Sequence, residues 1–357
     1  MEKSNVSIID VNEAKKEILN GNLVSFPTET VYGLGANVEN DKAVLKIYTA
    51  KGRPLSNPVI AHVNSINMAS KYLKDPPNDI MKLMMNKFWP GPLTIVSDAN
   101  MSIVPLIVTA NTKTIGIRCP DHPIALDLIT KCNVGIAAPS ANISGHVSPT
   151  LSQHVIDDFN SNSIPVKVIH NIYYKCKQNI FSGIESTIIR VEDSKIFVYR
   201  LGAISLSNIK EILTENNYHS VEIEIINNHV KKEKEEIKDQ VSPGQFLRHY
   251  SPNIPTKIIS NSGLTKLNLD NIDKCIIIDY GGYLQNLNTK VLKYFDLSQT
   301  KNLHEASLHL FNILRMSEKI VNGKEILITD VRIYNQDNCD ALYDRIYRAS
   351  EGNIICL

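Results

Sequence analysis

The stretch Ser25-Phe-Pro-Thr-Glu-Thr-Val-Tyr-Gly-Leu-Gly35 decides the fold that we predict for this chain. The residues from Leu23 to Phe26 are mostly apolar and end at a proline, which predicts a short buried strand. Pro27 ends the strand because it has no N–H to donate to a neighbouring strand. The Thr-Glu-Thr run then lies at the mouth of the strand, where open α/β sheets bind ligands. The stretch therefore predicts an α/β sheet with a ligand site at one edge.

A basic segment, Lys51-Gly-Arg-Pro-Leu-Ser-Asn-Pro58, follows the next predicted helix. Lys51 and Arg53 place two cations within three residues, and a folded protein buries such a pair only beside an anion. Asn57 adds a polar group in a stiff turn. A solvated loop has the same composition, and the nearby glycines do not form a P-loop because no Lys-Ser/Thr pair follows them. By itself the segment indicates an anion site without identifying the ligand.

Size and composition exclude several classes of protein. The chain has 357 residues, which suggests two domains, and its 43% of hydrophobic residues suffices for packed cores. The 38 Lys and Arg residues against 37 Asp and Glu residues give a formal charge of +1, so no global basic field indicates nucleic acid. The six cysteines lack paired short spacing, which argues against a zinc site or a disulfide framework. We find no signal peptide and no apolar run of membrane-spanning length, so we expect a cytoplasmic protein.

Three further segments carry residues suited to binding. Thr114 to Pro120 predicts a strand, and its Arg118, if buried, needs an anionic partner, either a structural carboxylate or a substrate. Gly135 to Gly145 predicts a strand of small residues that runs into a Ser/Asn/Gly turn, where hydroxyl and N–H groups can bind phosphate oxygens. Ser182 to Ile189 predicts a turn and a strand that pairs as a hairpin with Ile196 to Tyr199.

Hydrophobic spacing predicts the other elements of the first two hundred residues. Ser207 is the candidate N-cap of the last of these helices. The strand from Val59 to Val63 carries His62, and a histidine on a strand is more often packed than a ligand. The polar tract from Ser161 to Ile180 is expected to be a loop. Helices are predicted over residues 10–20, 41–50, 78–88, 123–131, 153–159 and 207–216.

A change of composition near Val221 sets the predicted domains: residues 5–217, a linker over 218–255, and a C-terminal domain over 256–357. The linker carries Phe246, Arg248, His249 and Tyr250, whereas flexible spacers are small and polar. It therefore either packs against a domain or closes a site. Strands over 256–259, 274–279 and 325–329 alternate with helices over 303–320 and 340–349, which predicts a smaller parallel α/β domain.

Taken together, the motifs resemble the threonylcarbamoyl-AMP synthase family, whose enzymes have a YrdC-like domain. The segments that carry the resemblance are Ser25 to Gly35 together with Lys51 to Pro58, then Lys87 to Thr94, Gly135 to Thr150 and Ser182 to Ile189. The linker and the final Asp344-Arg-Ile-Tyr-Arg-Ala-Ser350 are similar to the long form of the family. The resemblance implies a twisted, open YrdC-like sheet around a central cavity, plus a smaller Rossmann-like α/β C-terminal domain.

The resemblance also implies an activity. The chain would be a nucleotidyltransferase that converts L-threonine, bicarbonate and ATP into L-threonylcarbamoyladenylate and pyrophosphate. This is the first step of N6-threonylcarbamoyladenosine formation in tRNA, and a separate tRNA threonylcarbamoyl transferase complex would take the product. Mg²⁺ would accompany the nucleotide without a dedicated metal site in the protein. Any RNA contact would be weak, and no membrane partner is expected.

Positions in the family motifs assign residues to the two main substrates. For ATP they are Lys51, Arg53, Asn57, Thr114, Ser140, Asn142, Ser148 and Arg200. For threonine they are Thr30, His62, Arg118, the backbone of Ala138, and Ser182. Lys51 and Arg53 would be catalytic by neutralising the triphosphate, and Arg118 would hold the threonine carboxylate in a two-pronged contact. His249 and Tyr250 would form a lid that excludes water from a labile product.

Other interpretations stay open on the sequence. One is a non-catalytic RNA-binding module with a YrdC-like fold, although the near-neutral charge argues against tight RNA binding. Carbamoyl transfer for metal-centre assembly also uses a YrdC-like domain, but in larger chains with an acylphosphatase domain and paired-cysteine zinc fingers, neither of which we find. The C-terminal domain could also be a purely structural or regulatory lid.

Overall fold

The structure is a computed structural model that describes residues 6–160, 163–170, 182–226, 249–260 and 272–355. The chain divides into two compact units. The first takes in the described residues between 6 and 144, 149 and 170, and 185 and 226; the second takes in Gly145–Ser148, Ser182–Ile184 and the described residues from 249 onward. The predicted boundaries at 217 and 255 stay predictions, and linker residues 227–248 lie outside the described residues.

An eleven-stranded sheet forms the centre of the described part of the first unit. Its strands are β1 (Val6–Ile9), β2 (Leu23–Phe26), β3 (Gly33–Asn37), β4 (Ile60–His62), β5 (Leu93–Asp98), β6 (Thr114–Arg118), β7 (Ile136–Ala137), β8 (Val166–Ile169), β9 (Thr187–Glu192), β10 (Lys195–Arg200) and β11 (Glu222–Ile225). Their order in the sheet is β1-β8-β2-β3-β7-β4-β6-β5-β9-β10-β11. The pairing is mixed: β2 and β3 are antiparallel, β4 and β6 are parallel, and β9 and β10 form the predicted hairpin. The predicted α/β class with an open sheet is confirmed.

Seven helices accompany this sheet over the described residues: α1 (Val11–Leu19), α2 (Asp41–Lys51), α3 (Ile66–Tyr72), α4 (Asp79–Phe88), α5 (Pro123–Cys132), α6 (Ser152–Phe159) and α7 (Leu206–Glu215). The prediction of Ser207 as the N-cap of α7 is wrong. Ser205 caps α7, because its hydroxyl accepts a hydrogen bond from the backbone N–H of Asn208 at 3.1 Å, and the Asn208 side chain accepts one from the N–H of Ser205. The prediction of one continuous loop over 161–180 is also wrong, since β8 lies within it and pairs with β1 and β2.

A second, five-stranded sheet lies in the second unit with two helices over its described residues. The elements are β12 (Thr256–Ile259), β13 (Cys275–Asp279), β14 (Lys293–Asp296), α8 (Leu303–Glu318), β15 (Glu325–Thr329), α9 (Asp340–Ala349) and β16 (Ile354–Ile355). All its strand pairs are parallel, so the predicted parallel α/β domain is confirmed. The Rossmann-like character predicted for this domain is not confirmed by its strand order. β15 pairs with both β12 and β13, so the order in space is 3-2-4-1-5 by strand number within the sheet, whereas a Rossmann half has 3-2-1.

No helix in the described ranges combines the length and the apolar character needed to cross a bilayer.

Candidate functional site

The Thr-Glu-Thr run after β2 forms a buried, tightly hydrogen-bonded turn. The hydroxyl of Thr28 accepts hydrogen bonds from the N–H groups of Thr30 and Val31, both at 3.2 Å, and donates to the carbonyl of Val31 at 2.7 Å. Its oxygen also lies 2.9 Å from the hydroxyl of Thr30. Since the turn satisfies its own backbone, the side chains of Glu29 and Thr30 are held in fixed positions at the end of the strand.

Arg118, the last residue of β6, meets this turn. Its Nη2 donates to Glu29 Oε1 at 2.6 Å and to Thr30 Oγ1 at 3.0 Å. Of the two partners that the sequence left open for a buried arginine, the structure shows a carboxylate of the protein. The pair is not fully satisfied, because Arg118 Nε and Glu29 Oε2 are buried without a hydrogen-bond partner among the described residues.

His62 lies beside Arg118 in the sheet, where β4 and β6 place the two residues in register. Burial, and secondarily the charge of Arg118, lowers the pKa of His62 to about 3, so the imidazole is neutral near pH 7. His62 Nδ1 is another buried atom that has no hydrogen-bond partner within the described part of the chain. The backbone of Ala138 runs next to β4, and its N–H donates to the carbonyl of Ile60 at 2.8 Å. Four of the five residues assigned to threonine are therefore held around the ends of β2, β4 and β6.

Lys51 joins the end of α2 to the Ser/Asn turn. Its Nζ donates to the carbonyl oxygen of Ser140 at 2.6 Å and to that of Asn142. The Ser/Asn turn also contacts the segment after Thr30, since the N–H of Ala141 donates to the carbonyl of Tyr32 at 2.7 Å. Lys51, Ser140 and Asn142, three residues assigned to ATP, therefore meet in the first unit.

Arg53 is buried against uncharged oxygens. It donates from Nε to the carbonyl of Asn57 at 3.0 Å, and from Nη2 to Asn57 Oδ1 at 2.5 Å and to the carbonyl of Pro58 at 2.7 Å. Burial lowers the pKa of Arg53 to about 10, so the guanidinium stays charged at neutral pH. None of these three hydrogen bonds is to an anion, although the charge of the Glu185 carboxylate raises the pKa of Arg53.

Arg200, at the end of β10, is a third buried cation among the residues assigned to ATP. Its Nη1 pairs with Glu185 Oε2 at 2.5 Å, and its Nε and Nη2 donate to the carbonyl and hydroxyl of Ser186, each at 3.0 Å. The charge of Glu185 raises the pKa of Arg53, and the charge of Arg200 lowers it. The two arginines and Glu185 therefore interact electrostatically.

Thr114 lies away from Arg118, although both residues belong to β6. The two residues stand at opposite ends of β6, which separates them by about 13 Å at the usual rise per residue. The Thr114 hydroxyl oxygen lies 2.9 Å from that of Thr112. Its assignment to ATP stays a prediction.

Four predicted residues belong to the second unit: Ser148, Ser182, His249 and Tyr250. Ser148 is buried, and the hydroxyl of Ser182 donates to the carbonyl of Ile184 at 2.7 Å. Tyr250 is fully buried and stacks on Phe311 with ring centroids 5.2 Å apart. The His249 and Tyr250 rings are T-shaped to each other, with centroids 4.0 Å apart. These packing contacts do not test the lid, which stays a prediction.

Sequence reasoning missed the two acids that pair with the arginines, Glu29 with Arg118 and Glu185 with Arg200. Each is the only acidic residue of its motif, so the rule that a buried arginine needs an anionic partner makes both acids candidates without showing which arginine each one pairs with. In the described part of the chain, no group of three or more His, Cys, Asp or Glu residues is placed to hold a metal ion.

Two family models match the chain. One, described as "Telomere recombination", matches residues 16–202. The other, described as "Threonylcarbamoyl-AMP synthase, C-terminal domain", matches residues 204–351. Among curated proteins, the chain is 38% identical over 241 residues to a threonylcarbamoyl-AMP synthase of Bacillus subtilis and 37% identical over 242 residues to one of Pyrococcus abyssi. These alignments cover 67% and 68% of this chain, and 64% and 65% of the two relatives.

Two solved structures match nearly the whole chain. Sua5 of P. abyssi complexed with L-threonine has 30% sequence identity and a TM-score of 0.81, and the match covers 99% of this chain and 98% of that one. A variant of the same protein, with a histidine and the next tyrosine changed to alanine, has a TM-score of 0.80 at 30% identity, with 97% and 94% covered. In the present sequence a histidine directly precedes a tyrosine only at His249.

Proposed function

Because this chain belongs to the threonylcarbamoyl-AMP synthase family, we propose that it converts L-threonine, bicarbonate and ATP into L-threonylcarbamoyladenylate and pyrophosphate. The observation that carries the proposal is that residues from separate family motifs meet in the first unit. Lys51 contacts Ser140 and Arg118 contacts Glu29, each across 89 positions of the sequence. The matching Sua5 binds L-threonine, which supports the amino-acid substrate.

The proposed chemistry suits these residues. The threonine amine and bicarbonate give a carbamate and one molecule of water, and the carbamate oxygen then attacks the α-phosphorus of ATP while pyrophosphate leaves. Negative charge grows on phosphate oxygens, so fixed cations contribute most to catalysis. Lys51, Arg53 and Arg200 are those cations, and holding three reactants in place supplies up to about 7–11 kcal/mol more. Asn57, Thr114, Ser140, Asn142 and Ser148 would complete the ATP contacts.

Threonine would be bound by the second group of residues. The Arg118 guanidinium would hold the carboxylate, and Thr30, His62, the Ala138 backbone and Ser182 would contact the rest of the molecule. Mg²⁺ would accompany ATP, held mainly by phosphate oxygens and water. The donor set supports this, because both carboxylates of the described site, Glu29 and Glu185, are already paired with arginines.

The product would pass to a tRNA threonylcarbamoyl transferase complex, as the first step of N6-threonylcarbamoyladenosine formation in the cytoplasm. His249 and Tyr250 would exclude water from the labile adenylate. A histidine followed by a tyrosine was also the pair changed to alanine in the Sua5 variant, which supports a role for these two residues.

The test is pyrophosphate release from ATP, with L-threonine and bicarbonate each present or omitted. The proposal expects release that needs both, and AMP that accumulates as the adduct decays. Folded protein that shows no threonine-dependent release would overturn the proposal. Salt-sensitive RNA binding without ATP consumption would instead support a non-catalytic RNA-binding module.

A further inference from the structure

Three buried polar atoms around Arg118 lack a hydrogen-bond partner over the described residues: Glu29 Oε2, Arg118 Nε and His62 Nδ1. Their residues are only 3%, 4% and 4% exposed. Each unsatisfied buried group costs about 1–3 kcal/mol, and native proteins contain few of them. The three belong to one cluster, because Glu29 pairs with Arg118 and His62 lies in register with it. A cluster of this kind indicates a place where a ligand supplies the missing hydrogen bonds.

The chemistry of the three atoms describes that ligand. A carboxylate oxygen only accepts, so Glu29 Oε2 needs a donor, and a cationic donor binds it most strongly. Arg118 Nε only donates and prefers an anionic acceptor. The neutral imidazole of His62 suits an uncharged group such as a hydroxyl. An amino acid with a hydroxyl side chain carries all three complements within a few bonds of each other.

We propose that Glu29 binds the ammonium group of the amino-acid substrate through Oε2 while Oε1 stays on Arg118. This inference rests on the proposed function and adds a specificity-determining residue to it. Glu29 and Arg118 then present a negative and a positive charge side by side to the ammonium and carboxylate groups of one substrate carbon. The site selects an α-amino acid over its deamino analogue, because an analogue without the amine leaves Glu29 Oε2 unpaired in a buried position.

The other buried acid–arginine pair is a useful contrast. Glu185 and Arg200 are also largely buried and 2.5 Å apart. Over the described residues, neither contributes an atom to the set of buried side-chain groups without a partner. Burial of an ion pair therefore does not by itself produce the unsatisfied oxygen that Glu29 has.

The test compares L-threonine with (R)-3-hydroxybutanoate, which is threonine without its amino group, by titration calorimetry on the full chain. Wild-type protein should prefer threonine. The variant Glu29→Gln should lose about 10–100-fold in threonine affinity, as expected for one charge-assisted hydrogen bond, and much less for the analogue, so that the preference shrinks. Glu185→Gln is the matched control, and it should keep the wild-type ratio of the two affinities.

The outcomes separate the inference from the proposed function. Equal losses for both ligands in Glu29→Gln would mean that Glu29 acts only on the structure, and would overturn the inference alone. Wild-type protein that binds neither ligand would overturn the proposed function and this inference with it. If Glu29→Gln does not fold, by circular dichroism, Glu29→Asp keeps the buried charge but withdraws it by one methylene. That variant should also lose more affinity for threonine than for the analogue, and equal losses overturn the inference.

Discussion

Lys51 has a structural task in addition to its proposed contact with phosphate. Its ammonium group is the donor for two carbonyl oxygens of the Ser/Asn turn. We expect Lys51→Met to abolish turnover and also to lower the free energy of unfolding by about 1.5–3 kcal/mol, the usual range for hydrogen bonds to a charged group. Urea denaturation and pyrophosphate release measure the two effects.

Lys46 provides the control for this substitution on the same helix. Its Nζ donates to the carbonyl of Gly21 at 2.7 Å and to Asn22 Oδ1 at 3.2 Å, outside the candidate site. Lys46→Met should therefore lower stability while turnover continues. Wild-type turnover in Lys51→Met would contradict the assignment of Lys51 to ATP.

His62 makes stability depend on pH. Its pKa is about 3 in the folded protein against 6.5 in the unfolded chain, so between these values the unfolded state binds the additional proton. Stability should fall as pH decreases from about 6.5 toward 3, with a slope of up to about 1.4 kcal/mol per pH unit from this group. Denaturant midpoints at several pH values should show a smaller slope in His62→Asn. An unchanged slope would mean that other groups carry the acid sensitivity.

At the scale of single residues, the motifs grouped Lys51, Ser140 and Asn142 as contacts of ATP. The structure brings the Lys51 ammonium group to the backbone carbonyls of the other two, and their assignment to ATP stays a prediction. The partner of Arg118 could not be read from local pattern, because Glu29 precedes it by 89 positions and only the sheet brings them together. Hydrogen bonds across such separations are tertiary information.

Helix α7 shows how a cap decides where an element begins. Ser205 accepts from the N–H of Asn208 in a capping box, whereas Ser207 lies inside the helix. Ser205→Ala should lower the free energy of unfolding by about 0.5–2 kcal/mol, and Ser207→Ala by less than about 0.5 kcal/mol. Thermal or urea unfolding of the two single variants checks this. Equal effects would contradict the role of Ser205 as the cap.

Strand β3 depends on a glycine that lets three segments approach closely. An added Cβ at Gly35 would lie 2.7 Å from both Ile136 Cγ2 and Phe26 Cε1. Gly35→Ala should therefore destabilise the protein by about 1–3 kcal/mol through overpacking. Gly116→Ala in β6 is the comparison, since its nearest neighbours would be 3.3 and 3.4 Å away, and it should cost less. The free energies of unfolding of the two variants decide the matter, and a larger cost at Gly116 would contradict it.

At the scale of elements, the sequence predicted those with strong periodicity and missed those without it. The helix predicted over 78–88 is α4, and its N-cap is Asn78. By contrast, β8 has only four residues in a polar tract, and it is stabilised by pairing with β1 and β2 on its two sides. A short strand of this kind is defined by its neighbours in the sheet, which are distant in sequence.

For the whole molecule, length and composition predicted two α/β parts, and contacts in the structure assign two short segments that composition does not single out. Gly145–Ser148 and Ser182–Ile184 precede the predicted boundary at 217, yet they belong to the second unit. Helix α8 explains this membership within that unit: Arg315 donates to the carbonyl of Val147, and the His146 ring lies 2.9 Å from a carboxylate oxygen of Glu318. Composition changes along the chain, whereas compact units form by contact, so short segments are assigned only by the structure.

The contact of Gly183 with α8 leads to a prediction about the second unit. An added Cβ at Gly183 would lie 2.1 Å from the carbonyl oxygen of Ser307 and 2.3 Å from Leu308 Cα, and the residue has φ +67°. Because backbone atoms cannot move aside as a flexible side chain does, Gly183→Ala should combine overpacking with left-handed strain and cost about 2–4 kcal/mol.

Gly282→Ala is the matched control in the same unit, with φ +71° but only a side-chain oxygen of Gln285 at 3.3 Å. It should cost about 1–2 kcal/mol from strain alone. Urea unfolding gives the free energies, and hydrogen exchange should rise over Leu303–Glu318 in Gly183→Ala but not in Gly282→Ala; equal behaviour would show that strain, and not the contact with α8, requires the glycine.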